Sequence, residues 1–183
     1  MSWFDLQGLI PQLILLLGAT ALLLLGAWFR QPRPLLIGGM VTTLLAALAA
    51  GYLPPPTAEI SGLFHSTPYA RFFTIFWCLL GCCGLLASAR FVVEQRLPGG
   101  EYVGLVLFAV TGMTLLSASS SLVGLFLGLE AFTLAFYVLI AINRRCPLSA
   151  EAGLKYLLLG AVATGFLAFG IALVYAASGT FHL

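Results

Sequence analysis

The stretch Leu125–Phe136 reads LFLGLEAFTLAF, an apolar run that contains a single carboxylate, Glu130. The run lies within a longer apolar segment, residues 122–142, which has about the 20 residues that a helix needs to cross about 30 Å of hydrocarbon. Sequence of this kind is typical of a membrane-spanning helix. An acidic side chain at the centre of such a helix costs on the order of 3 kcal/mol, so Glu130 is predicted to have a function that outweighs this cost.

The composition of the whole chain extends this prediction from one helix to the entire fold. The 183 residues are 61% hydrophobic and 8% charged, with a mean hydropathy of +1.09. Water-soluble globular domains of this length do not reach such values. Strands of a membrane barrel would alternate polar and apolar residues over about ten positions, and the sequence lacks that alternation. It therefore predicts an all-α, polytopic transmembrane helix bundle surrounded by the lipid bilayer.

Apolar runs between polar loops predict six transmembrane helices. The fourth is short for a full crossing unless Glu101 and the serines that follow it extend the helix. The segment SASSS at 117–121 predicts a tight hairpin to the fifth helix, and the proline-rich loop 54–68 is predicted to resist helix formation. The predicted helices are Leu9–Phe29, Pro34–Leu53, Phe72–Val93, Tyr102–Leu116, Leu122–Ile142 and Ala152–Ala177.

The basic residues divide the predicted loops into two sides of the membrane. Arg71 lies on the side that contains both termini, and the other seven basic residues lie on the opposite side. By the positive-inside rule both termini are predicted to face away from the cytoplasm, on the periplasmic side. The first helix has no basic region before it and no cleavage site, so it is expected to be retained. The seven residues are Arg30, Arg33, Arg90, Arg96, Arg144, Arg145 and Lys155.

The cysteines and histidines do not form a metal-binding pattern. Cys78 and Cys82 share a helix face, but no histidine or carboxylate accompanies them, so packing is favoured over metal binding. His65 and His182 are interpreted as loop histidines. The net charge of +2, carried by short loops, gives no indication of nucleic-acid binding.

Helical spacing places further polar residues beside Glu130. Thr133 and Tyr137 follow it at i+3 and i+7 and form one polar stripe along the predicted fifth helix. A stripe of this kind is what a proton or water path needs. In the alternative interpretation, a protonated Glu130 only hydrogen-bonds a neighbouring helix, and Thr133 and Tyr137 are packing residues. Gly124 and Gly128 form a GxxxG motif, which predicts close helix packing on an adjacent face.

Lys155 is the second charged residue that the pattern singles out. Pro147 is predicted to end the fifth helix and Ser149 to cap the start of the sixth. Glu151 precedes Lys155 at i−4, so an ordinary ion pair near the membrane interface is the preferred interpretation of Lys155 taken alone. A Lys155 side chain turned toward Glu130 would instead make the protonation of one group depend on the other.

Residues 100–180 contain a dense set of motifs, including FLGLE around Glu130, LSAEAGLKY around Lys155, and LLGA followed by GFL and GIAL. This region resembles subunit N of bacterial NADH-quinone oxidoreductase, respiratory complex I, in the antiporter-like family that includes the Mrp sodium/proton antiporters. The resemblance implies three leading helices in residues 1–99 and the start of the proton-translocating domain in residues 100–183. It also implies the N-terminal part of such a subunit, because the family's seventh-helix lysine and second repeat lie beyond this sequence.

The same resemblance implies roles for individual residues. Glu130 matches the family's fifth-helix glutamate and Lys155 the lysine of its sixth helix, so the two would form an intramembrane proton-translocation path coupled to quinone reduction elsewhere in the complex. From their place on the polar stripe, and not from the resemblance, Thr133 and Tyr137 are expected to order water along this path. The implied enzyme is a proton-translocating NADH:quinone oxidoreductase in the bacterial cell inner membrane, with other membrane subunits of complex I as partners. This chain is expected to bind no cofactor and no metal, since NAD, FMN, iron-sulfur clusters and quinone are expected in partner subunits.

Two alternatives stay open at the level of the sequence. A non-conducting structural subunit would explain the glycine packing face but not the carboxylate within the membrane. A subunit of a cation/proton antiporter would explain the carboxylate equally well, because those relatives share the fifth-helix glutamate. The sequence LSAEAGLKYLLLGA favours the respiratory subunit over the antiporter.

Overall fold

A computed structural model describes residues 8–28, 31–53, 59–60 and 63–182 of the chain. Every helix in these ranges is long and apolar enough to cross a membrane, and the predicted all-α transmembrane bundle is thereby confirmed. A small antiparallel hairpin, β1 (Glu59–Ile60) and β2 (Phe64–His65), lies between the second and third helices. The helices are α1 (Ile10–Trp28), α2 (Pro32–Tyr52), α3 (Pro68–Glu94), α4 (Gly99–Ser117), α5 (Leu122–Ile140) and α6 (Pro147–Ser178).

Four helices, α2, α3, α4 and α6, begin earlier than the apolar pattern predicts, because proline or glycine starts each of them. Helix α2 begins at Pro32 and α3 at Pro68, where the Thr67 side chain accepts a hydrogen bond from the Ala70 amide at 3.1 Å. Helix α4 begins at Gly99 and includes both Glu101 and Ser117, so it is long enough to cross the bilayer. Proline is favoured in the first turn, where its missing N–H has no intrahelical partner.

The prediction for the connection between α5 and α6 is wrong in two respects. Pro147 begins α6 and does not end α5, and Cys146 occupies the N-cap position predicted for Ser149. The Ser149 hydroxyl donates instead to the Ile140 carbonyl at 2.6 Å. It therefore satisfies an unpaired carbonyl at the end of α5, one of the groups that every helix C-terminus leaves without an intrahelical partner.

Helix α4 lies at the centre of the bundle and packs against α1, α2, α3 and α5. Val103, Leu107 and Val110 of α4 are almost fully buried, at 0%, 0% and 1% exposure, and they belong to the main core cluster. By contrast, Gly153 is the one buried residue of α6, whose large apolar side chains are mostly exposed. Helices α1 to α5 therefore form the packed body, and α6 lies at its edge.

Small residues allow α1 and α4 to touch backbone to backbone. A Cβ atom built on Gly26 would lie 2.4 Å from the Cα of Gly100, and one on Gly100 would lie 2.5 Å from the Cα of Gly26. Neither position can accept a side chain without separating the helices. Membrane helices associate largely through such close van der Waals contact, because apolar residues gain little by leaving lipid for protein.

Short polar segments close the two ends of the bundle. At one end the four residues 118–121 join α4 to α5, and the predicted tight hairpin is confirmed. Their backbone is tied to the β1–β2 hairpin by hydrogen bonds from His65 N to Ala118 O, at 2.7 Å, and from Ser120 N to Leu63 O, at 2.9 Å. At the other end Arg144 bonds Glu101 at 3.1 Å, which joins the α5–α6 loop to the start of α4.

Helix α1 packs extensively on α4, so the described residues before and after position 100 are in contact. The division of the chain at this point stays a prediction based on the family resemblance. Arg30 and Phe29, at the end of the first predicted helix, lie outside the described residues.

Gly26→Ala is expected to destabilise the bundle, because the added methyl must separate α1 from α4. Overpacking of this kind costs roughly 1–3 kcal/mol. Thermal unfolding of the chain in detergent micelles measures the effect. Gly84→Ala in α3 is the matched control, since a Cβ atom there would meet nothing within 4 Å. Equal melting temperatures for the two variants would contradict the close α1–α4 contact.

Candidate functional site

The candidate site is built on α5, with Glu130 near its centre. Glu130 lies eight residues after Leu122 and ten before Ile140, the two ends of the helix. The Ser121 side chain caps the helix by accepting a hydrogen bond from the Gly124 amide at 3.0 Å. Because a residue rises about 1.5 Å along a helix, Glu130 lies at least about 12 Å from either end. Its carboxylate is therefore placed in the hydrocarbon region and not at a membrane surface.

Gly124 and Gly128 fix which face of α5 meets α4. Both are buried, and a Cβ atom at Gly128 would lie 2.6 Å from the backbone nitrogen of Leu116 in α4. At Gly124 it would lie 2.5 Å from the carbonyl oxygen of Leu63. Glu130 is two residues beyond Gly128 and thus about 200° further around the helix. With the glycine face against α4, Glu130 is directed to the other side, where α6 packs.

Thr164 of α6 is the polar partner of Glu130. Its hydroxyl oxygen lies 2.6 Å from Oε1 of Glu130, and both side chains are partly buried. A hydroxyl can donate to an ionised carboxylate or accept from a protonated one, so the same contact is compatible with both states of Glu130. The bond also holds α6 against α5 in the middle of the membrane.

Thr164 lies on the packing face of α6, a placement that the structure shows and that a search of the sequence for charged residues does not find. The α6 residues that are less exposed than their neighbours mostly recur at intervals of three, four or seven. Such spacing marks one face of a helix, the one that packs on α5. Thr164 is the polar member of this face at the level of Glu130. The less exposed residues of α6 are Ser149, Gly153, Gly160, Thr164, Leu167, Gly170 and Ile171.

Thr133 and Tyr137 lie about one and two turns after Glu130 on α5, and these three side chains are not hydrogen-bonded to one another. The Thr133 hydroxyl bonds the backbone carbonyls of Leu129 and Glu130 in its own helix, at 3.0 and 3.2 Å. A threonine that bonds its own backbone has used its single donor. Tyr137 lies one further turn along α5. A continuous path from Glu130 to Tyr137 therefore requires water between them.

Tyr137 reaches across to α6 at a gap left by a glycine. Its ring meets that of Tyr156 edge to face, with centroids 5.3 Å apart. Its hydroxyl lies so close to Gly160 that a Cβ atom there would be 2.0 Å away. The α5–α6 seam thus carries Glu130 and Thr164 at one level and two tyrosines at the next level toward the basic end.

Lys155 does not face Glu130 in this bundle. It bonds Glu151 at 2.5 Å, and the two side chains are 69% and 58% exposed. Nine residues separate Lys155 from Thr164, which corresponds to about 180° around the helix and roughly 13 Å along it. Because Thr164 faces Glu130, Lys155 lies on the opposite face of α6. The structure therefore contains the i, i+4 ion pair, and any influence of Lys155 on Glu130 acts across the helix and not by contact.

The two histidines that the sequence assigns to separate loops line one cavity. It has a volume of about 320 Å³ at the end of the bundle opposite the basic loops, and its wall includes His65, His182, Ser119 and Ser120. Among the described residues no group of three or more histidine, cysteine, aspartate or glutamate side chains could hold a metal ion. The cavity lies more than two helical turns from Glu130, at the start of α5.

Comparison with known proteins shows what the chain is similar to. Residues 119–183 match the family described as NADH:quinone oxidoreductase/Mrp antiporter, TM. The whole chain is 50% identical to NADH-quinone oxidoreductase subunit N of Syntrophotalea carbinolica and covers 38% of that protein. It is 42% identical to subunit N of Geobacter metallireducens, with 39% of that protein covered. The predicted family resemblance is confirmed, and the chain spans well under half the length of these relatives.

A solved structure supports the same fold. The chain superposes on a subunit of the membrane-bound sulfane sulfur reductase, an archaeal respiratory membrane complex, with a TM-score of 0.77. The match covers 97% of this chain and 38% of that one at 23% sequence identity. At this level of identity the likeness shows a shared fold. The chain therefore shares its helix arrangement with part of that membrane subunit.

Thr164→Val is expected to weaken the contact between α5 and α6, because it leaves a carboxyl group in the membrane without its partner. Hydrogen bonds between membrane helices contribute roughly 0.6–2 kcal/mol. Thermal unfolding in detergent should show a lower melting temperature for Thr164→Val and a value close to the parent for Thr164→Ser. Thr20→Val is the control, since the Thr20 hydroxyl bonds only its own helix. A decrease as large in Thr20→Val would refute the assignment.

Proposed function

We propose, from this kinship with subunit N, that the chain forms part of a proton-translocating membrane subunit in which Glu130 takes up and releases a proton within the membrane. The observation that supports the proposal is the carboxylate at the centre of α5 with a hydroxyl partner on α6. Ionisable groups in membrane helices usually mark ion or proton pathways, because insertion scales assign them a cost on the order of 3 kcal/mol.

Thr164 can act as the group that accommodates both states of Glu130. When Glu130 is ionised, the Thr164 hydroxyl donates to Oε1. When Glu130 is protonated, the hydroxyl accepts from the acid and turns its own proton to the Gly160 carbonyl, four residues earlier in α6, as threonines in helices commonly do. The change is a rotation of one hydroxyl and needs no movement of either helix.

Protons would reach Glu130 along the α5–α6 seam from the basic end. Thr133 and Tyr137 on α5 and Tyr156 on α6 provide hydroxyl groups on that side of the carboxylate. Since these groups are not bonded to one another, the path depends on water molecules that bridge them. In this proposal Tyr137 and Thr133 order water, and Glu130 is the group that titrates.

Lys155 would act as an electrostatic modulator and not as a direct partner. Its ammonium pairs with Glu151 at the basic end of α6, on the face that points away from Glu130. That face of α6 is exposed in this chain, so the position of the Lys155 ammonium can change when another protein segment packs on α6. In low dielectric, a charge at such a distance can still change the energy of protonating Glu130.

The wider assignment follows from the names of the relatives. We infer that the chain belongs to a subunit of a proton-translocating NADH-quinone oxidoreductase, assembled with other membrane subunits in a bacterial inner membrane. The basic loops would face the cytoplasm and the termini the periplasm. In this assignment NAD, FMN, iron-sulfur clusters and quinone belong to partner subunits, and proton movement is coupled to quinone reduction from a distance.

Two other functions are consistent with parts of the same geometry. The glycine contacts of α5 suit a structural subunit that conducts nothing, but a scaffold has no use for a carboxylate within the membrane. The matching family also includes Mrp antiporters, which favours no particular cation. The names of the most similar relatives favour the respiratory assignment.

Glu130→Gln is expected to reduce proton translocation strongly in the assembled complex that contains this chain. The amide keeps the size and hydrogen-bonding capacity of the side chain but cannot exchange a proton. The measurement is proton uptake into vesicles at matched rates of quinone reduction. Glu94→Gln is the control, because Glu94 is exposed at the basic end beside Arg90. A scaffold would show normal proton movement in Glu130→Gln and loss of assembly on native gels in Gly128→Leu.

Lys155→Gln and Glu151→Gln distinguish the two interpretations of Lys155. If Lys155 modulates Glu130, Lys155→Gln should reduce proton translocation several-fold. Glu151→Gln should have a smaller effect, because it leaves the Lys155 ammonium in place. If the two residues form only a surface ion pair, both variants should behave like the parent, since an exposed pair contributes about 0–1 kcal/mol. Proton uptake in vesicles is again the measurement.

A further inference from the structure

A groove with an apolar floor and a basic mouth lies between α2 and α3, away from the α5–α6 seam. Its volume is about 470 Å³. The groove begins at the basic end of the bundle, where α2 starts and α3 ends, and extends about two helical turns toward the middle of the membrane. It is referred to below as the α2–α3 groove. The residues that line it are Arg33, Leu36, Ile37, Met40, Ala89, Arg90, Val93 and Glu94.

The floor of the groove suits a hydrocarbon chain. Ile37 and Met40 of α2 face Ala89 and Val93 of α3, and all four side chains are apolar. Ile37 is 61% exposed, so the groove opens toward the lipid. The small side chain of Ala89 leaves a space that a larger side chain at this position would fill. An acyl chain can therefore lie along the floor with its length parallel to the helices.

The mouth of the groove suits an anion. The Arg90 Nε atom bonds Glu94 Oε1 at 2.6 Å, which leaves the two terminal amino groups of this guanidinium unused in that bond. Arg33 has no hydrogen-bond or ion-pair partner among the described residues, in contrast to Arg144 and Lys155 at the same end. Two guanidinium groups and one carboxylate give the mouth a net charge of +1.

A charged mouth above an apolar floor matches the shape and charge of a phospholipid whose headgroup is anionic. Guanidinium groups bind phosphate through paired N–H donors, and basic pockets between membrane helices on the cytoplasmic side are known to hold anionic headgroups. A zwitterionic headgroup fits less well, because its ammonium would lie beside Arg33 while Glu94 is already bonded to Arg90. Retention of an anionic lipid also gives Arg33 a counter-charge that no described residue supplies as an ion pair.

We propose that the α2–α3 groove binds one anionic phospholipid of the surrounding bilayer, with its phosphate held by Arg33 and Arg90 and one acyl chain lying on Ile37, Met40 and Ala89. The site is independent of Glu130 and of proton transfer. Its occupant stabilises the packing of α2 against α3 at the basic end of the bundle.

The test is thermal unfolding of the purified chain in neutral detergent, titrated with short-chain phosphatidylglycerol. The lipid should raise the melting temperature saturably, and short-chain phosphatidylethanolamine or inorganic phosphate should raise it far less. In Arg33→Gln/Arg90→Gln the apparent affinity for phosphatidylglycerol should fall on the order of tenfold or more. Arg96→Gln/Arg145→Gln removes the same charge from the same end of the bundle outside the groove and should bind like the parent.

A second pair of variants keeps the test decisive if the loss of both arginines prevents folding. Ala89→Phe fills the floor and leaves both arginines in place, and it should also abolish the shift caused by the lipid. Ala87→Phe adds the same ring at an exposed position outside the groove and should preserve the shift. Equal stabilisation by the zwitterionic lipid or by inorganic phosphate, equal affinity in the two double arginine variants, or an unchanged shift in Ala89→Phe would each overturn the proposal.

Discussion

The hydrogen bond between Thr164 and Glu130 satisfies the main physical constraint on this chain, which is that a carboxyl group within hydrocarbon must have a polar partner. The rest of the site can be understood from that requirement. Gly124 packs tightly against Leu63, between β1 and β2, and Gly128 against α4, which leaves the Glu130 face of α5 for another helix. Helix α6 is that helix, and glycines on its packing face allow it to lie close to α5. The carboxyl group thus determines where α6 lies.

The body of the bundle and its edge have different roles. Helix α4 is buried among α1, α2, α3 and α5, and the contact of Gly26 with Gly100 shows how little space remains there. Helix α6 contacts the body mainly along one face, and its other face carries Lys155 and a series of exposed apolar side chains. Glu130 at the edge of a packed body suits the proposed proton transfer, because its carboxyl group can respond to its neighbours without repacking the core.

Much of the fold could be predicted from the sequence, because the hydrophobic period and the charge of the loops are strong signals in a membrane protein. All six helices and the hairpin at 117–121 were predictable for this reason. The ends of helices were less so. Pro147 was interpreted as a stop and is a start, since proline suits both places and only the path of the chain distinguishes them. The partner of Glu130 was also missed, because Thr164 carries no charge and its significance depends on the rotation of α6 about its axis.

The central claim is that Glu130 exchanges a proton inside the membrane while bonded to Thr164. The most direct measurement is infrared difference spectroscopy of the chain in lipid bilayers over a range of pH, with Glu130→Gln used to assign the carboxyl band. The account predicts a band of the protonated acid that disappears reversibly as pH rises, is absent in Glu130→Gln, and shifts in Thr164→Val. A band that stays constant at every pH, or one that Thr164→Val leaves unchanged, would contradict it.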